Sequence, residues 1–307
     1  MDAGLVQGIR NNARTRSARV GMAVCAAALL VGLSASSAHG AVTIGQLAPG
    51  NPADLSCTDS LLDVIQTTPG YVVPAGGAAI TSWSTKASVG AGQQVKMKVM
   101  RKIGEPGTYQ VVGVDGPRTL TPAALNTFPV NIPVQPGDVI GTNFLNGAEV
   151  GNACIFDTPG TFILASSGDL NTGQSGPFTN DGNDFSLNLS AVVGFKTSND
   201  IDFVKVKKNK NNGTAVLTVD VPGPGQLSLK GAGVKPQRTG GATISKQVTE
   251  AGKVKLRIKA KGAKKEKLLD TGKAKVKVKV TFKPSATGGD VAGDPNTDPK
   301  TIKLIDN

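Results

Sequence analysis

The stretch KAKVKVKVTF, residues 273–282, decides the fold of the second half of the chain. Lysines occupy positions 273, 275, 277 and 279, and small or apolar residues fill the positions between them. Because successive residues of a β-strand point to opposite faces, this alternation predicts a strand with one apolar face and one lysine face. The stretch KVKLRIKAK repeats the pattern at residues 253–261. Together the two polar faces carry Lys273, Lys275, Lys277 and Lys279, and Lys253, Lys255, Arg257, Lys259 and Lys261.

Two interpretations of these basic faces stay open. Charge runs are usually solvated surfaces, and lysine on a strand also deters aggregation between sheet edges. However, a solvated face needs only polar residues, and like charges directly opposite each other destabilise a sheet. An all-lysine face therefore also predicts a weak site for polyanions, because a broad positive potential attracts them.

The region around these stretches predicts a sandwich of seven strands. The expected strands are residues 202–208, 214–221, 225–231, 242–248, 253–261, 273–282 and 300–306. Seven strands in about a hundred residues is typical of the immunoglobulin-like fold. Residues 270–276 resemble the D-x-G-x-Y-x-C pattern at the entry to strand F of immunoglobulin domains, but Ala274 and Val276 replace the Tyr and Cys. If 253–261 and 273–282 are strands E and F, their lysines coat opposite sheets.

Charge divides the chain into two domains. Residues 41–198 hold 7 Lys and Arg against 11 Asp and Glu, a net charge of −4, whereas residues 199–307 hold 23 against 10, a net charge of +13. The change falls in a polar stretch without periodicity. We therefore expect an N-terminal domain at 41–194, a linker at 195–202 and a lysine-rich domain at 203–307.

The N-terminal domain also has a β pattern, and we expect an all-β chain of two sandwiches. Short candidate strands lie at 78–86, 93–102, 108–114, 127–134, 138–144, 153–158 and 185–193, separated by Gly and Pro turns. Many short strands at this spacing favour a sandwich of the jelly-roll kind. The polar stretch 167–184 is expected to form a surface loop.

Residues 1–40 have the pattern of a secretory signal peptide. Arg10, Arg14, Arg16 and Arg19 precede the apolar run at 20–33, and small residues follow with a cleavage site before Ala41. Such a segment is removed during export, and no later stretch is apolar enough to span a membrane. The protein is therefore expected to be secreted or associated with the cell envelope. Cys57 and Cys154 remain after cleavage, and two cysteines in an exported chain predict one disulfide.

The sequence does not predict an enzyme. The only histidine, His39, lies in the predicted signal peptide, which excludes histidine-dependent triads and metal sites from the remaining chain. Paired carboxylates could still hydrolyse glycosides, but the acidic residues of the first half lie mostly beside Gly or Pro and are explained by turns. Residues 180–184, NDGND, favour Asx turns over a calcium loop, because the closing Glu of an EF-hand is missing. We predict no catalytic residue, cofactor or metal.

A second binding hypothesis concerns the aromatic residues of the N-terminal domain. Trp83, Tyr71 and Tyr109 could stack on a carbohydrate if their rings were exposed, and a core role is the alternative. Exposure of Trp83 discriminates between the two. After residue 199 the only aromatic residues are Phe203 and Phe282, both better explained as core, so base stacking and specific nucleic-acid binding are not predicted.

Several segments resemble exported two-module β-sandwich proteins of high-GC Gram-positive bacteria. These are residues 213–234, GTAVLTVDVPGPGQLSLKGAGV, the lysine-rich residues 251–262 and 271–284, and, in the first half, TFPVNIPVQPGDVIG at 127–141. The resemblance implies export and architecture but no activity. The sequence as a whole predicts an exported, non-enzymatic adhesion or binding protein that contacts polyanions, with an anionic wall polymer or polysaccharide as partner. It does not predict the oligomeric state. The alternative is carbohydrate binding by the N-terminal sandwich.

Overall fold

The computed structural model describes residues 40–49, 62–145, 154–235 and 244–307, and this part of the chain is nearly all β. The predicted signal peptide, except for Gly40, and Cys57 lie outside the described residues. The described part of the chain contains no helix with the length and apolar character needed to cross a membrane. The expected all-β fold is confirmed.

The N-terminal region consists of strands in two antiparallel sheets. The strands are β1 (Val42–Gln46), β2 (Leu62–Ile65), β3 (Gly77–Lys86), β4 (Gln94–Gly104), β5 (Thr108–Thr119), β6 (Leu125–Pro133), β7 (Val139–Phe144), β8 (Ile155–Ser167), β9 (Ser175–Pro177), β10 (Thr179–Leu187) and β11 (Leu189–Phe195), and a 3-10 turn spans Pro69–Tyr71. One sheet has the order β1-β11-β3-β6 and the other β10-β8-β2-β7-β4-β5-β9. The described region thus has more strands than the eight of a jelly roll.

The main core of this region lies between the two sheets. Ile80 and Trp83 of β3 pack in one buried cluster with Met97 of β4 and Ile140 of β7. A smaller apolar cluster, which includes Met100 and Val139, lies on the other side of the seven-stranded sheet. Residues 168–174 cover this side, since the Val111 N–H donates to the Gln174 carbonyl over 2.9 Å and Leu170 packs against the cluster.

One expectation for this region is wrong. Residues 167–184 are not a single loop: residues 168–174 contain no strand, but the stretch includes β9, which pairs with β5, and most of β10, which pairs with β8. Strand β10 contains two register shifts, after Asn180 and after Asn183, and its polar residues up to Asp184 are on the surface. Bulges of this kind break the strict alternation by which a strand is recognised in sequence.

The C-terminal region is a sandwich of seven strands over its described residues, as predicted. The strands are β12 (Asp202–Asn209), β13 (Thr214–Val221), β14 (Gly225–Lys230), β15 (Ile244–Val248), β16 (Gly252–Lys259), β17 (Lys273–Pro284) and β18 (Asn296–Ile305), and the helix is α1 (Ala263–Thr271). The sheets have the orders β12-β13-β16 and β15-β14-β17-β18. Strands β16 and β17 therefore belong to opposite sheets, and α1 connects them.

Helix α1 was not predicted because its sequence lacks an apolar period. Only Leu268 is buried among its residues, and most of the others are lysines or acids. The helix ends at Gly272, whose φ of 63° is the left-handed conformation that favours glycine at a helix C-terminus. Its position at the end of the sandwich lets the chain cross from one sheet to the other.

Residues 195–201 join the two sandwiches, and no strand is shared between their sheets within the described ranges. The loop between β17 and β18 packs against this junction. The Phe195 N–H donates to Asp290 over 3.0 Å, the Thr197 N–H donates to the Val291 carbonyl over 2.9 Å, and Lys196 pairs with Asp294 at 2.9 Å.

Candidate functional site

Strand β17 places its lysines on the surface and its apolar residues in the core. Lys273, Lys275 and Lys277 are exposed, whereas Val276, Val278, Val280 and Phe282 are completely buried. This arrangement follows from the two-residue period of the strand. The structure therefore presents the lysine row to solvent along the whole length of β17.

Neighbouring strands extend this row into a continuous basic surface, which we call the four-stranded face. In the antiparallel register, Lys279 lies opposite Lys230 of β14, and Lys275 lies opposite Lys303 of β18. The face consists of the exposed residues Lys230, Lys273, Lys275, Lys277, Lys279, Lys283 and Lys303. In the described parts of β14, β15, β17 and β18, no outward position holds an Asp or Glu, since Asp298 lies opposite Val280 on the core side.

The other sheet carries a second basic surface, which we call the three-stranded face. It consists of the exposed residues Lys205 and Lys207 of β12 and Lys253, Lys255, Arg257 and Lys259 of β16. The middle strand β13 separates the two rows. It places Val216 opposite both Lys207 and Arg257, and Thr218 opposite both Lys205 and Lys255. This face also has acidic residues, because Asp220 lies opposite both Lys253 and Asp202.

Lys261 lies beyond the end of β16, which is a departure from the predicted strand 253–261. Its backbone N–H donates to the Gly233 carbonyl over 2.7 Å at the start of the connection to α1. Exposed lysines continue from there along the helix at Lys264, Lys265 and Lys267. Lys261 therefore belongs to the basic end of the sandwich and not to the three-stranded face.

The lysines of both faces have no ion-pair partner among the described residues. Every ion pair of the described chain lies in the N-terminal sandwich, except the pair of Lys196 with Asp294 at the junction. A shallow groove of about 440 Å³ opens on the four-stranded face, lined by Lys230, Gly231, Ala232, Lys277 and Lys279. Another, of about 510 Å³, is lined in part by Lys207, Lys208, Lys210 and Arg257 beside the three-stranded face. Both faces can attract anions, and neither shows a shaped, enclosed cavity.

The predicted sugar-stacking residues are buried, and the structure contradicts that role. Trp83 is 0% exposed, Tyr71 1% and Tyr109 6%. The Trp83 indole donates to Asp115 over 2.7 Å, and the Tyr71 hydroxyl donates to the Leu187 carbonyl over 2.6 Å. Burial raises the pKa of the Tyr71 hydroxyl well above its usual range. A sugar cannot reach these rings, because each is part of the packed interior.

Sequence reasoning missed a buried ionic network in the N-terminal sandwich. Lys98 and Asp63 are both completely buried and form an ion pair on the side of the sheet covered by residues 168–174. The Lys98 ammonium also donates to Asp169 and to the Leu170 carbonyl, each over 2.7 Å. Asp63 in turn accepts from Asn143 and from the Leu170 N–H, each over 2.9 Å. Because Asp169 and Leu170 of the covering segment bond to Lys98 and Asp63 of the sheet, the network fixes this segment to the sheet.

Two other acidic residues of this sandwich also accept hydrogen bonds from basic side chains. Asp138 is buried and accepts two hydrogen bonds from Arg101, each over 2.8 Å. Asp115 accepts from Arg118 as well as from Trp83. Burial alone would raise the pKa of the Asp115 carboxyl, but these hydrogen bonds outweigh it and lower the pKa. Asp115 and Asp138 are therefore structural partners of cations and not only turn residues.

The remaining sequence hypotheses concern calcium and the disulfide. In residues 180–184 the hydrogen bonds are local, with the Gly182 N–H donating to Asn180 over 3.0 Å and the Gly160 N–H donating to Asp184 over 2.7 Å. Over the described ranges, no group of three or more His, Cys, Asp and Glu residues is placed to hold a metal ion. Cys154 is buried in the main core, and because Cys57 lies outside the described residues, their pairing stays a prediction.

Comparisons with known proteins add little to this description. No protein-family model matches the sequence, and no curated protein matches it. Among solved structures, the chain is similar to CfaE, the adhesive subunit of the CFA/I fimbria of enterotoxigenic Escherichia coli, at 10% identity. The alignment covers 87% of this chain and 88% of that chain, with a TM-score of 0.23. A likeness of this strength supports no conclusion about function.

Proposed function

We propose that this protein is an exported, non-enzymatic binding protein of the cell envelope or extracellular space, which attaches to polyanions by electrostatic contact. The observation that carries the proposal is the four-stranded face, where seven lysines are exposed and the described strands offer no outward carboxylate. With a net charge of +13 over residues 199–307, this domain produces a positive potential that attracts anionic polymers.

The chemistry of the face supports contact with backbone charges more than with specific groups. Lysine is a point charge on a flexible chain and lacks the planar fork by which arginine recognises a carboxylate or phosphate. Phe282 is completely buried, and Phe203 is half-buried with the Lys300 ammonium 5.1 Å from its ring centre. Since stacking on nucleic-acid bases requires free aromatic rings, the proposal does not include base recognition.

Export and the absence of catalysis rest on other observations. The N-terminal 40 residues have the signal-peptide pattern, and the chain resembles exported sandwich proteins of high-GC Gram-positive bacteria. Its acidic residues that would be candidates for hydrolysis are held by lysine and arginine, as with Asp63, Asp115 and Asp138. A general acid or base has to be available to a substrate, and these carboxylates are occupied.

The test compares the chain of residues 41–307 with two variants of the β17 row. In one, Lys273, Lys275, Lys277 and Lys279 become Thr, and in the other they become Arg, which keeps the charge. We expect the parent and the Arg variant to bind lipoteichoic acid and heparin with affinities that fall steeply with salt, because basic residues displace condensed counterions. The Thr variant should remain folded, since Thr suits exposed strand positions, and should bind more weakly with a shallower salt dependence.

Binding is measured by titration at two salt concentrations, and folding by thermal denaturation. Equal binding by the parent and a folded Thr variant would show that the face is only solvated and would remove the proposal. Loss of binding in the Arg variant as well would point to a shape-dependent contact and also contradict it.

A further inference from the structure

The two basic faces of the C-terminal sandwich differ in how charges meet across the strands. On the three-stranded face, the direct neighbours of the basic residues are neutral or acidic, because β13 lies between the two rows. Lys255 faces Thr218, Arg257 faces Val216, and Lys253 faces Asp220. This spacing avoids the destabilising contact of one basic residue with another.

On the four-stranded face, lysines lie directly opposite lysines. Lys279 is the cross-strand partner of Lys230, and Lys275 is the partner of Lys303. Opposite residues of an antiparallel pair have Cβ atoms about 4.5–5.5 Å apart, well within the screening length of about 10 Å at 0.1 M salt. The two lysines of each pair therefore repel each other in the isolated protein, and a Thr at any of these positions would relieve the repulsion.

The groove on this face lies at one of the two pairs. Lys230 and Lys279 both line it, with Lys277 beside them and Gly231 and Ala232 on the other side. Gly231 is needed there, because a Cβ at this position would lie 2.5 Å from the Lys277 carbonyl oxygen. The close approach brings the chain past β17 at a groove lined by three lysines, so an anionic group seated in it would lie beside several positive charges.

We infer that the four-stranded face is the binding surface, and that its ligand is a linear polymer with one phosphodiester per repeating unit, aligned with β17. This inference rests on the proposed function and specifies its site and ligand. Each opposed lysine pair accepts one phosphate group, which converts the repulsion into attraction. Lysine binds phosphate well as a point charge.

Spacing favours such a polymer. The two opposed pairs lie four residues apart on β17, at Lys275 and Lys279, and are therefore about 13 Å apart along the strand, with Lys277 about 7 Å from each. A chain in which neighbouring phosphates are separated by a short polyol can place alternate phosphates at the two pairs and the phosphate between them at Lys277. Duplex DNA, by contrast, presents one charge per about 1.7 Å of its axis on a curved surface, so only a few of its phosphates would meet the row.

The experiment uses the chain of residues 41–307 and two variants of equal charge. The pair variant replaces Lys230, Lys275, Lys279 and Lys303 by Thr. The matched variant replaces Lys205, Lys207, Lys253 and Lys255 of the three-stranded face by Thr. Each is titrated with poly(glycerol phosphate), heparin and duplex DNA over a range of salt, and unfolding by denaturant is measured with and without poly(glycerol phosphate).

We expect the pair variant to lose most of its affinity for poly(glycerol phosphate). The slope of log affinity against log salt should fall by about 0.7–0.9 for each phosphate that the variant no longer neutralises. The matched variant should keep affinity within a few-fold of the parent. Without polymer, the pair variant should unfold at a higher denaturant concentration than the parent. Poly(glycerol phosphate) should raise the unfolding midpoint of the parent and of the matched variant, but not that of the pair variant.

Other outcomes separate the inference from the function on which it rests. If both variants lose binding equally, the protein is a diffuse cationic body, so the proposed function stands and the site is wrong. If heparin or DNA binds to the parent more tightly than poly(glycerol phosphate), the assigned ligand class is wrong. If the parent binds none of the three polymers, the proposed function fails as well.

Discussion

The two sandwiches use the same residue type in opposite ways. In the N-terminal sandwich, Lys98 is completely buried and donates to Asp63, Asp169 and a backbone carbonyl. In the C-terminal sandwich, Lys275 is exposed and faces another lysine. A lysine that is saturated by partners stabilises its fold and is closed to ligands, whereas a lysine that faces only like charge is available to a ligand and slightly destabilises its sheet. The difference lies in what covers the strand and not in the strand itself.

The largest expected effect is the loss of the buried pair by Lys98→Met. The substitution leaves the Asp63 carboxylate buried without its cation, and breaking a buried pair from one side costs about 3–5 kcal/mol. The N-terminal sandwich should therefore unfold at a much lower denaturant concentration. Trp83 is the only tryptophan of the chain and lies in this core, so its fluorescence follows the unfolding of this sandwich alone.

Lys102 on the same strand β4 provides the control. It pairs with Glu105 on the surface, with 45% of its side chain exposed, and exposed pairs contribute little to stability. We expect Lys102→Met to leave the Trp83 transition almost unchanged. Equal denaturant midpoints for Lys98→Met and the parent would show that the network does not stabilise the fold. The proposed difference between the lysines of the two sandwiches would then be wrong.

A smaller effect is expected from acid. Burial would raise the pKa of the Asp115 and Asp169 carboxyls, but hydrogen bonds outweigh it and lower the pKa of both. Asp115 accepts from Arg118 and Trp83. Asp169 accepts from Lys96 and Lys98. A carboxyl with a pKa below its unfolded value of about 3.9 stabilises the fold above that pH, and this stability is lost as the pH falls through the lowered folded pKa. The N-terminal sandwich should weaken below about pH 4.

The measurement is the denaturant midpoint of the Trp83 transition between neutral pH and pH 3. Asp115→Asn keeps an oxygen for the indole but removes the charge that Arg118 stabilises. This variant should be less stable than the parent at neutral pH, and its denaturant midpoint should fall less between neutral pH and pH 3. A pH dependence as steep as that of the parent would mean that Asp115 does not contribute to it.

The C-terminal fold was predictable because its core strands repeat a strict alternation. Each expected strand has one counterpart over residues 202–305, although β16 ends at Lys259 and β18 begins at Asn296, and the exposure of Lys273 and Lys277 follows from the same period. The N-terminal strands were harder. β1 and β2 are short, β9 has three residues, and β10 contains register shifts, so none of them shows several residues of regular alternation.

The buried network was not predictable from local sequence. Residues 94–100, QVKMKVM, alternate apolar residues with Lys96 and Lys98 just as 273–279 alternate with Lys275 and Lys277. The first pair of lysines is covered by a segment about 70 residues away in sequence, which supplies Asp169 and Leu170. The two-residue period predicts on which face of the strand a lysine lies, but only the tertiary structure determines whether that face is exposed to solvent.

The smallest expected effect tests the repulsion on the four-stranded face one residue at a time. Lys275 faces Lys303, whereas Lys277, two positions further along β17, faces Thr301. Thr at position 275 removes a directly opposed like-charge pair, and Thr at position 277 removes only a more distant charge. Cross-strand pairs contribute about 0.2–1 kcal/mol, and exposure to solvent places this one at the low end. We therefore expect Lys275→Thr to raise the free energy of unfolding of the C-terminal sandwich by a few tenths of a kcal/mol, on the order of the lower limit. Lys277→Thr should raise it by less.

Salt and a second substitution separate this repulsion from other effects of the same change. Because surface charges are screened by salt, the difference between the two variants should shrink as the salt concentration rises. Far-ultraviolet circular dichroism under denaturant follows both sandwiches, and Trp83 fluorescence follows only the N-terminal one, so the part of the dichroism change without a counterpart in fluorescence reports the C-terminal sandwich. A double-mutant cycle of Lys275→Thr with Lys303→Thr isolates the pairwise energy. If the cycle gives no coupling, or if the difference between the two variants does not depend on salt, the opposed lysines do not repel each other measurably, and the four-stranded face has no more reason to bind phosphate than the three-stranded one.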